Sequence, residues 1–304
     1  MERFENKLER RENGFEKMPE VFRTKVVLDF FRHDEKDPNK VEPIKPDEEV
    51  ELTPKGKLDA KGHAKIEDTT FAIATGTDRK RARQTAIYHM AGKNEAVTGE
   101  ETYEELEQVV NKGREYGSKI VTDNRLNFTV EKNTPFGKVA FERFFKGEYL
   151  KFLVEESDQF SKEVGNTEES TYSSLAGNVA ELVKKNIAVS RNFDQLYQSK
   201  SEEERKTNEL QRFFGSHQGV TESFLAKLIE NIKGVEERDK FVKILKNRGF
   251  DFSEGFEIDI LNKDTEEEPK IKISYRKEVE GEEPFIFEEE IPSELIDQII
   301  LEGK

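Results

Sequence analysis

The chain contains no cysteine. A disulfide framework, a thiolate nucleophile and a Cys-ligated zinc are therefore excluded. Histidine is scarce, with four in 304 residues. No His-x-x-x-His or Glu-x-x-His spacing occurs, so no metal and no other cofactor is expected. No Gly-x-Ser-x-Gly is present, which argues against a serine hydrolase. No apolar run approaches the length of a transmembrane helix. The opening stretch MERFENKLERRENGFEKMPE alternates charges and lacks the apolar segment of a secretory signal. A soluble, cytoplasmic protein is the expectation. Positive charge is also short: 50 Lys and Arg stand against 65 Asp and Glu, a formal net charge of −15. That balance repels polyanions at long range, so neither nucleic acid nor an anionic membrane is expected as a partner. Oligomeric state is not legible.

What is present supports a sizeable core. Hydrophobic residues make up 34% of the chain and 23 of its residues are Phe. Residues 1–20 read as a charged lead-in and 21–304 as one domain. The apolar, β-branched stretch 24–32 reads as a buried strand, followed by a polar loop over 34–50. Thr53 and Pro54 suit the N-cap and first position of a helix over 52–65. Strands are expected at 69–76 and 118–123, with helices at 78–92 and 103–113. From about 137 to 207 the periodicity is helical, as an insertion placed over the strand ends as a cap. Residues 210–219 return to a strand and turn, and 220–232 to an amphipathic helix. Beyond about 251, short strands separated by acidic turns suggest an antiparallel β extension, closed by a helix. Alternating strands and helices give an α/β class, a three-layer α/β/α arrangement around a mainly parallel sheet.

Three strand ends carry related chemistry. Arg32 and His33 follow the first strand. Arg81 lies in the first turns of the helix after the second. Ser216 and His217 follow the strand after the insertion. In an open parallel sheet, ligands bind beyond the carboxyl ends of the strands. Two imidazoles and two guanidiniums in one crevice suit a phosphoryl group, because a guanidinium matches phosphate oxygens in bidentate fashion. An imidazole held neutral by nearby positive charge keeps a nitrogen free to attack phosphorus. His63 and His89 have no partner spacing and read as surface or packing residues. Arg79, Lys80, Arg81 and Arg83 point to several sides of a helix, which argues against one nucleic-acid face.

These residues resemble the histidine phosphatase superfamily, in its phosphoglycerate mutase-like branch. Arg32-His33-Asp34-Glu35 stands for the family's Arg-His-Gly-Glu, with Asn39 at the spacing of its following Asn. Leu52-Thr53-Pro54-Lys55-Gly56 matches Leu-Thr-x-x-Gly. Thr77, Arg81, Ala82 and Thr85 match Ser-x-x-x-Arg-Ala-x-x-Thr, and GSHQGVTESFL matches the late His before a helix. The resemblance implies a phosphatase that hydrolyses a small phosphate monoester through phosphohistidine, without metal. His33 would be the nucleophile, and Arg32, Arg81 and His217 would hold the phosphate, with Asn39 adding a contact. The family's acidic residue after the third strand is replaced by Phe128. Glu131 is the substitute expected here, with Asp123, Glu101, Glu104 and Asp34 as alternatives. A phosphoglycerate-type mutase and a non-catalytic phospho-ligand or partner-binding domain are the competing functions.

Overall fold

A computed structural model of the chain describes residues 22–39, 44–65, 71–112, 119–166, 168–205, 207–263 and 268–304. The lead-in expected over residues 1–20 lies outside these. The elements in chain order are β1 (Thr24–Arg32), α1 (Pro54–Gly62), β2 (Phe71–Gly76), α2 (Lys80–Ala91), α3 (Tyr103–Lys112) and β3 (Lys119–Thr122). Then come α4 (Pro135–Lys146), α5 (Tyr149–Phe152), α6 (Asp158–Glu163), α7 (Tyr172–Ser199), β4 (Glu209–Ser216), α8 (Val220–Lys233) and α9 (Val235–Ile244). The chain closes with β5 (Gly255–Asn262), β6 (Lys270–Lys277), β7 (Phe285–Glu290) and α10 (Ser293–Glu302).

One seven-stranded sheet runs in the order β3-β2-β4-β1-β5-β6-β7. Pairs β3–β2, β2–β4 and β4–β1 are parallel, whereas β5 pairs antiparallel with β1 and continues into β6 and β7. The expected β extension is thus part of the main sheet. Side chains alternate across a strand, and β1 shows what that does here. Val26, Leu28 and Phe30 enter a core built with α4 through α10, while Phe31 enters a second core with α1, α2 and α3. The same alternation sends Phe214 of β4 to the first core and Phe213 to the second.

Helix α1 begins as its sequence indicates: Thr53 Oγ1 accepts from the Gly56 amide, and Pro54 occupies the first turn. The insertion departs from expectation. Its 28-residue helix α7 packs against β1, β5, α8 and α10, so it serves as the crossover beneath the sheet rather than a cap. Its apolar face (Leu175, Val179, Leu182, Val183) is buried, and that burial decides its placement. The stretch from α5 to α6 is joined by a π turn, Leu153–Ser157. Helix α9, with Phe241 and Val242 buried, was not expected from the sequence.

Two glycines set where α2 lies. A Cβ on Gly215 of β4 would fall 2.1 Å from the Ala82 carbonyl oxygen, and one on Gly76 would fall 2.6 Å from the Arg83 amide nitrogen. The first turns of α2 therefore press directly on the carboxyl ends of β2 and β4. That contact carries Arg81 into the crevice between β4 and β1.

Candidate active site

The crevice lies where connections leave the parallel strands in opposite directions, the usual ligand position in such sheets. β1 delivers Arg32 and His33, β2 delivers Thr77, α2 delivers Arg81 and β4 delivers Ser216 and His217. The register pairs Arg32 with Ser216, and the His33 amide donates to the Ser216 carbonyl at 2.8 Å. Adjacent parallel strands thereby place the two imidazoles side by side, with ring centroids 5.1 Å apart at 68°.

His33 is buried. Its Nδ1 lies 2.6 Å from the carbonyl oxygen of Asp34. A carbonyl only accepts, so Nδ1 carries the proton and Nε2 keeps its lone pair. Arg81 Nε donates to that Nε2 at 3.3 Å. Burial, followed by the charges of Arg81, Arg32 and Lys36, holds the His33 pKa well below the usual histidine value. The ring is therefore neutral at neutral pH. His217 is depressed in the same way, first by burial and then by His33, Arg79 and Arg81. Its Nε2 lies 3.0 Å from Thr77 Oγ1, and its buried Nδ1 has no hydrogen-bond partner among the described residues. A further polar group brought into the crevice would satisfy that nitrogen.

Arg81 is buried, and its fork closes on Asp47. Nη1 donates to Asp47 Oδ1 at 3.1 Å and to the Asp47 carbonyl at 2.8 Å, and Nη2 donates to Oδ2 at 2.9 Å. Arg32 lies next to His33, but one arm is engaged elsewhere. Its Nη1 donates to the Phe250 carbonyl at 2.6 Å, its guanidinium lies 4.6 Å over the Phe252 ring, and its buried Nε has no partner among the described residues.

The structure does not join Asn39 to this group. Its amide closes its own loop, with Nδ2 donating to the Lys45 carbonyl and Oδ1 accepting from the Lys45 amide. Its φ is 52°, a conformation that Asn tolerates. These two bonds hold the side chain within its own loop rather than in the crevice.

Glu131 is likewise not brought to the imidazoles. Its side chain is exposed, and its backbone is tied into the turn before α4: its amide meets Glu169, and its carbonyl accepts from the Thr134 hydroxyl. Phe128 is at the crevice instead. Its ring meets His217 edge-on at 5.6 Å, and Arg79 lies over it at 4.5 Å.

The other carboxylates are accounted for. Asp123 pairs with Arg125. Glu101 caps the turn at Thr98 and Gly99, and Glu104 pairs with Lys80. Asp34 is buried, and burial raises its pKa. However, its carboxylate accepts from Ser253 Oγ at 2.7 Å and from the Glu35 amide at 2.6 Å. Ser253 in turn meets His89 Nε2 at 3.1 Å. His89 is a buried packing residue, stacked on Phe31 at 3.9 Å.

Sequence reasoning missed Asp47 and Glu222. Asp47 sits in an acidic, proline-bearing loop with no spacing signal. Glu222 is fully buried and accepts from the Phe250 amide at 2.9 Å. Its pKa is raised by burial against the pull of backbone hydrogen bonds and Arg32. Charge inside an apolar helix face was the only hint. Among the described residues, no group of three or more His, Asp or Glu is gathered as a metal-ion site, and no helix is long and apolar enough to cross a membrane.

No family model and no curated protein matches the sequence. Solved structures similar to it include a mycobacterial glucosyl-3-phosphoglycerate phosphatase, at 13% identity and a TM-score of 0.43, over 78% of this chain and 90% of that one. A phosphoglycerate mutase from Bacillus anthracis aligns at 15% identity and a TM-score of 0.43, over 78% and 89%. A phosphoserine phosphatase from Entamoeba histolytica aligns at 20% identity and a TM-score of 0.34, over 77% and 90%.

Proposed function

We propose that this chain is a phosphatase that hydrolyses a small phosphate monoester through a phosphohistidine on His33. The observation that carries the reading is the single tautomer of His33. Nδ1 is committed to the Asp34 carbonyl, so Nε2 carries the lone pair, which accepts from Arg81 Nε until phosphorus takes that place. Burial and three nearby cations keep that lone pair unprotonated, which is what attack on phosphorus needs. Nε2 would form the bond to phosphorus as the ester oxygen leaves with the electrons of the P–O bond. Water would then attack phosphorus and return Nε2 to the neutral ring. Arg81 lies 3.3 Å from the attacking atom, so its fork would meet the phosphoryl oxygens as charge builds on them. The orphaned Nδ1 of His217 and Nε of Arg32 would turn toward the same oxygens.

A proton for the leaving oxygen is the open role. Phe128 occupies the crevice position next to His217, and this favours leaving groups that depart without strong acid assistance, such as aryl or enol oxygens. It also favours a second reading, a phospho-ligand binder with slow turnover. Hydrolysis of an aryl phosphate by the full chain separates the two. Turnover together with a base-stable, acid-labile phosphate adduct is expected. Stoichiometric phosphate-ester binding without product would support the binder and refute the phosphatase.

A further inference from the structure

The cations around Asp47 exceed what one carboxylate requires. Arg81 holds both of its oxygens. Arg79 Nε reaches Oδ2 at 3.1 Å, and Lys36 Nζ reaches Oδ1 at 3.4 Å. Three positive groups thus meet one carboxylate, with Asp78 and Glu48 acting on Arg79 only through charge, and Arg79 Nη1 is buried with no partner among the described residues. The carboxylate itself is half exposed on a short 3₁₀ turn, Asp47–Glu49, that has no buried residue. It sits on the same guanidinium whose Nε touches the candidate nucleophile.

A planar carboxylate gripped by a guanidinium fork presents two oxygens much as a phosphoryl group does. A phosphate monoester carries close to two negative charges at neutral pH. Exchanging the carboxylate for it would better match three cations. We propose that Lys36, Arg79 and Arg81 form one anion pocket for the substrate's phosphoryl group, and that Asp47 is its built-in competitor, which the substrate must displace. Arg79 and Lys36 thereby become binding residues, and the 44–50 turn becomes a strap over the site. The inference rests on the phosphatase reading and adds who occupies the pocket beforehand.

Supporting this, burial pushes the Asp47 carboxyl up, but hydrogen bonds and charge from Arg81, followed by Lys36 and Arg79, outweigh it and hold it at about 2. The competitor is therefore ionised at every working pH, and only another anion releases it. Of the strap's other ties, Glu49 to Lys80 at 2.9 Å lies at the surface, where an ion pair is weak. The turn is anchored at both ends, by the Asn39–Lys45 hydrogen bonds and by buried Val50, so the exchange needs only the half-exposed Asp47 side chain to swing away.

The test uses inorganic phosphate as the probe, by titration calorimetry on the full chain and by inhibition of aryl phosphate hydrolysis. Asp47→Asn and Asp47→Ser should bind phosphate about fivefold more tightly than the wild type, the scale expected when a half-exposed ion pair no longer competes. Arg79→Ala should bind about tenfold more weakly. If both Asp47 variants bind phosphate no more tightly than wild type while the wild type hydrolyses the ester, the competitor role is refuted and the phosphatase reading stands. If no variant binds phosphate and none turns over, both are refuted.

Discussion

Replacing Arg81 by Lys keeps the charge but removes the fork, so the variant isolates what the geometry contributes. In the structure the guanidinium spans two carboxylate oxygens at 3.1 and 2.9 Å and still reaches His33 Nε2 at 3.3 Å. An ammonium on a flexible stem cannot hold three directions at once. Losing one charge-assisted hydrogen bond to the transferring group costs about 1.5–3 kcal/mol, and loss of one preorganised donor typically lowers kcat by about 10²–10³-fold. The kcat/KM for an aryl phosphate is therefore expected to fall about 10²-fold. The His33 pKa is depressed first by burial and next by the Arg81 charge. The ammonium of the Arg81→Lys variant would retain that charge, and the acid limb of the pH–rate profile should stay in place. Arg81→Gln removes the charge, and its acid limb should move to higher pH. Far-ultraviolet circular dichroism and a melting curve check that the fold survives. A Lys variant within about threefold of wild type would refute the claim that a bidentate grip on phosphate operates here.

Three further outcomes are expected. His33→Ala should abolish turnover and the acid-labile adduct while leaving the melting temperature within a few degrees, and residual wild-type rates would remove the nucleophile. Glu131→Gln should leave the ratio of alkyl to aryl phosphate hydrolysis unchanged within about twofold, because the side chain is exposed and makes no contact with either imidazole. A selective loss on alkyl esters would make Glu131 the acid after all. Stability should fall on acidification below about pH 6.5, the ordinary histidine pKa. His33, His89 and His217 are buried, and burial holds each of them well below that value, so the unfolded chain binds protons there that the native chain does not. Each such group contributes a slope of about 1.4 kcal/mol per pH unit. Asp29 opposes this in part, since burial raises it to about 6 against the pull of Lys65 and the native state gains a proton there as pH falls. His89→Gln should flatten the slope of stability against pH by one proton in urea titrations between about pH 5 and 6.5, and an unchanged slope would show that His89 is protonated in the native state.

Strand and helix placement was largely legible because periodicity and end signals are local properties of the chain. Thr53-Pro54 opened α1 as read, and apolar runs marked β1, β2 and β4. The reading was less successful where burial was decided by distant partners. Helix α7 carried the periodicity of a surface helix, and only its packing against β1 and α10 made it a crossover. The four motifs likewise named His33, Arg81 and His217 from spacing alone, and the sheet brought them to one crevice. Asn39 was chosen by the same spacing and Glu131 as a substitute three residues past the family's acid position, but a loop's path is set by its own hydrogen bonds, and these hold Asn39 on Lys45 and leave Glu131 in solvent.

What the sequence determined by itself was the α/β alternation, the lack of thiol chemistry and the set of basic groups at strand ends. What only the tertiary structure decided was which partner each charge meets. Asp47 lies 34 residues from Arg81 in the chain, and no pattern of side chains along the sequence encodes that pairing. It arises because Gly76 and Gly215 let α2 approach the strands until the guanidinium faces the 44–50 turn. Electrostatic energy depends on distance in space, and the chain order records only distance in sequence.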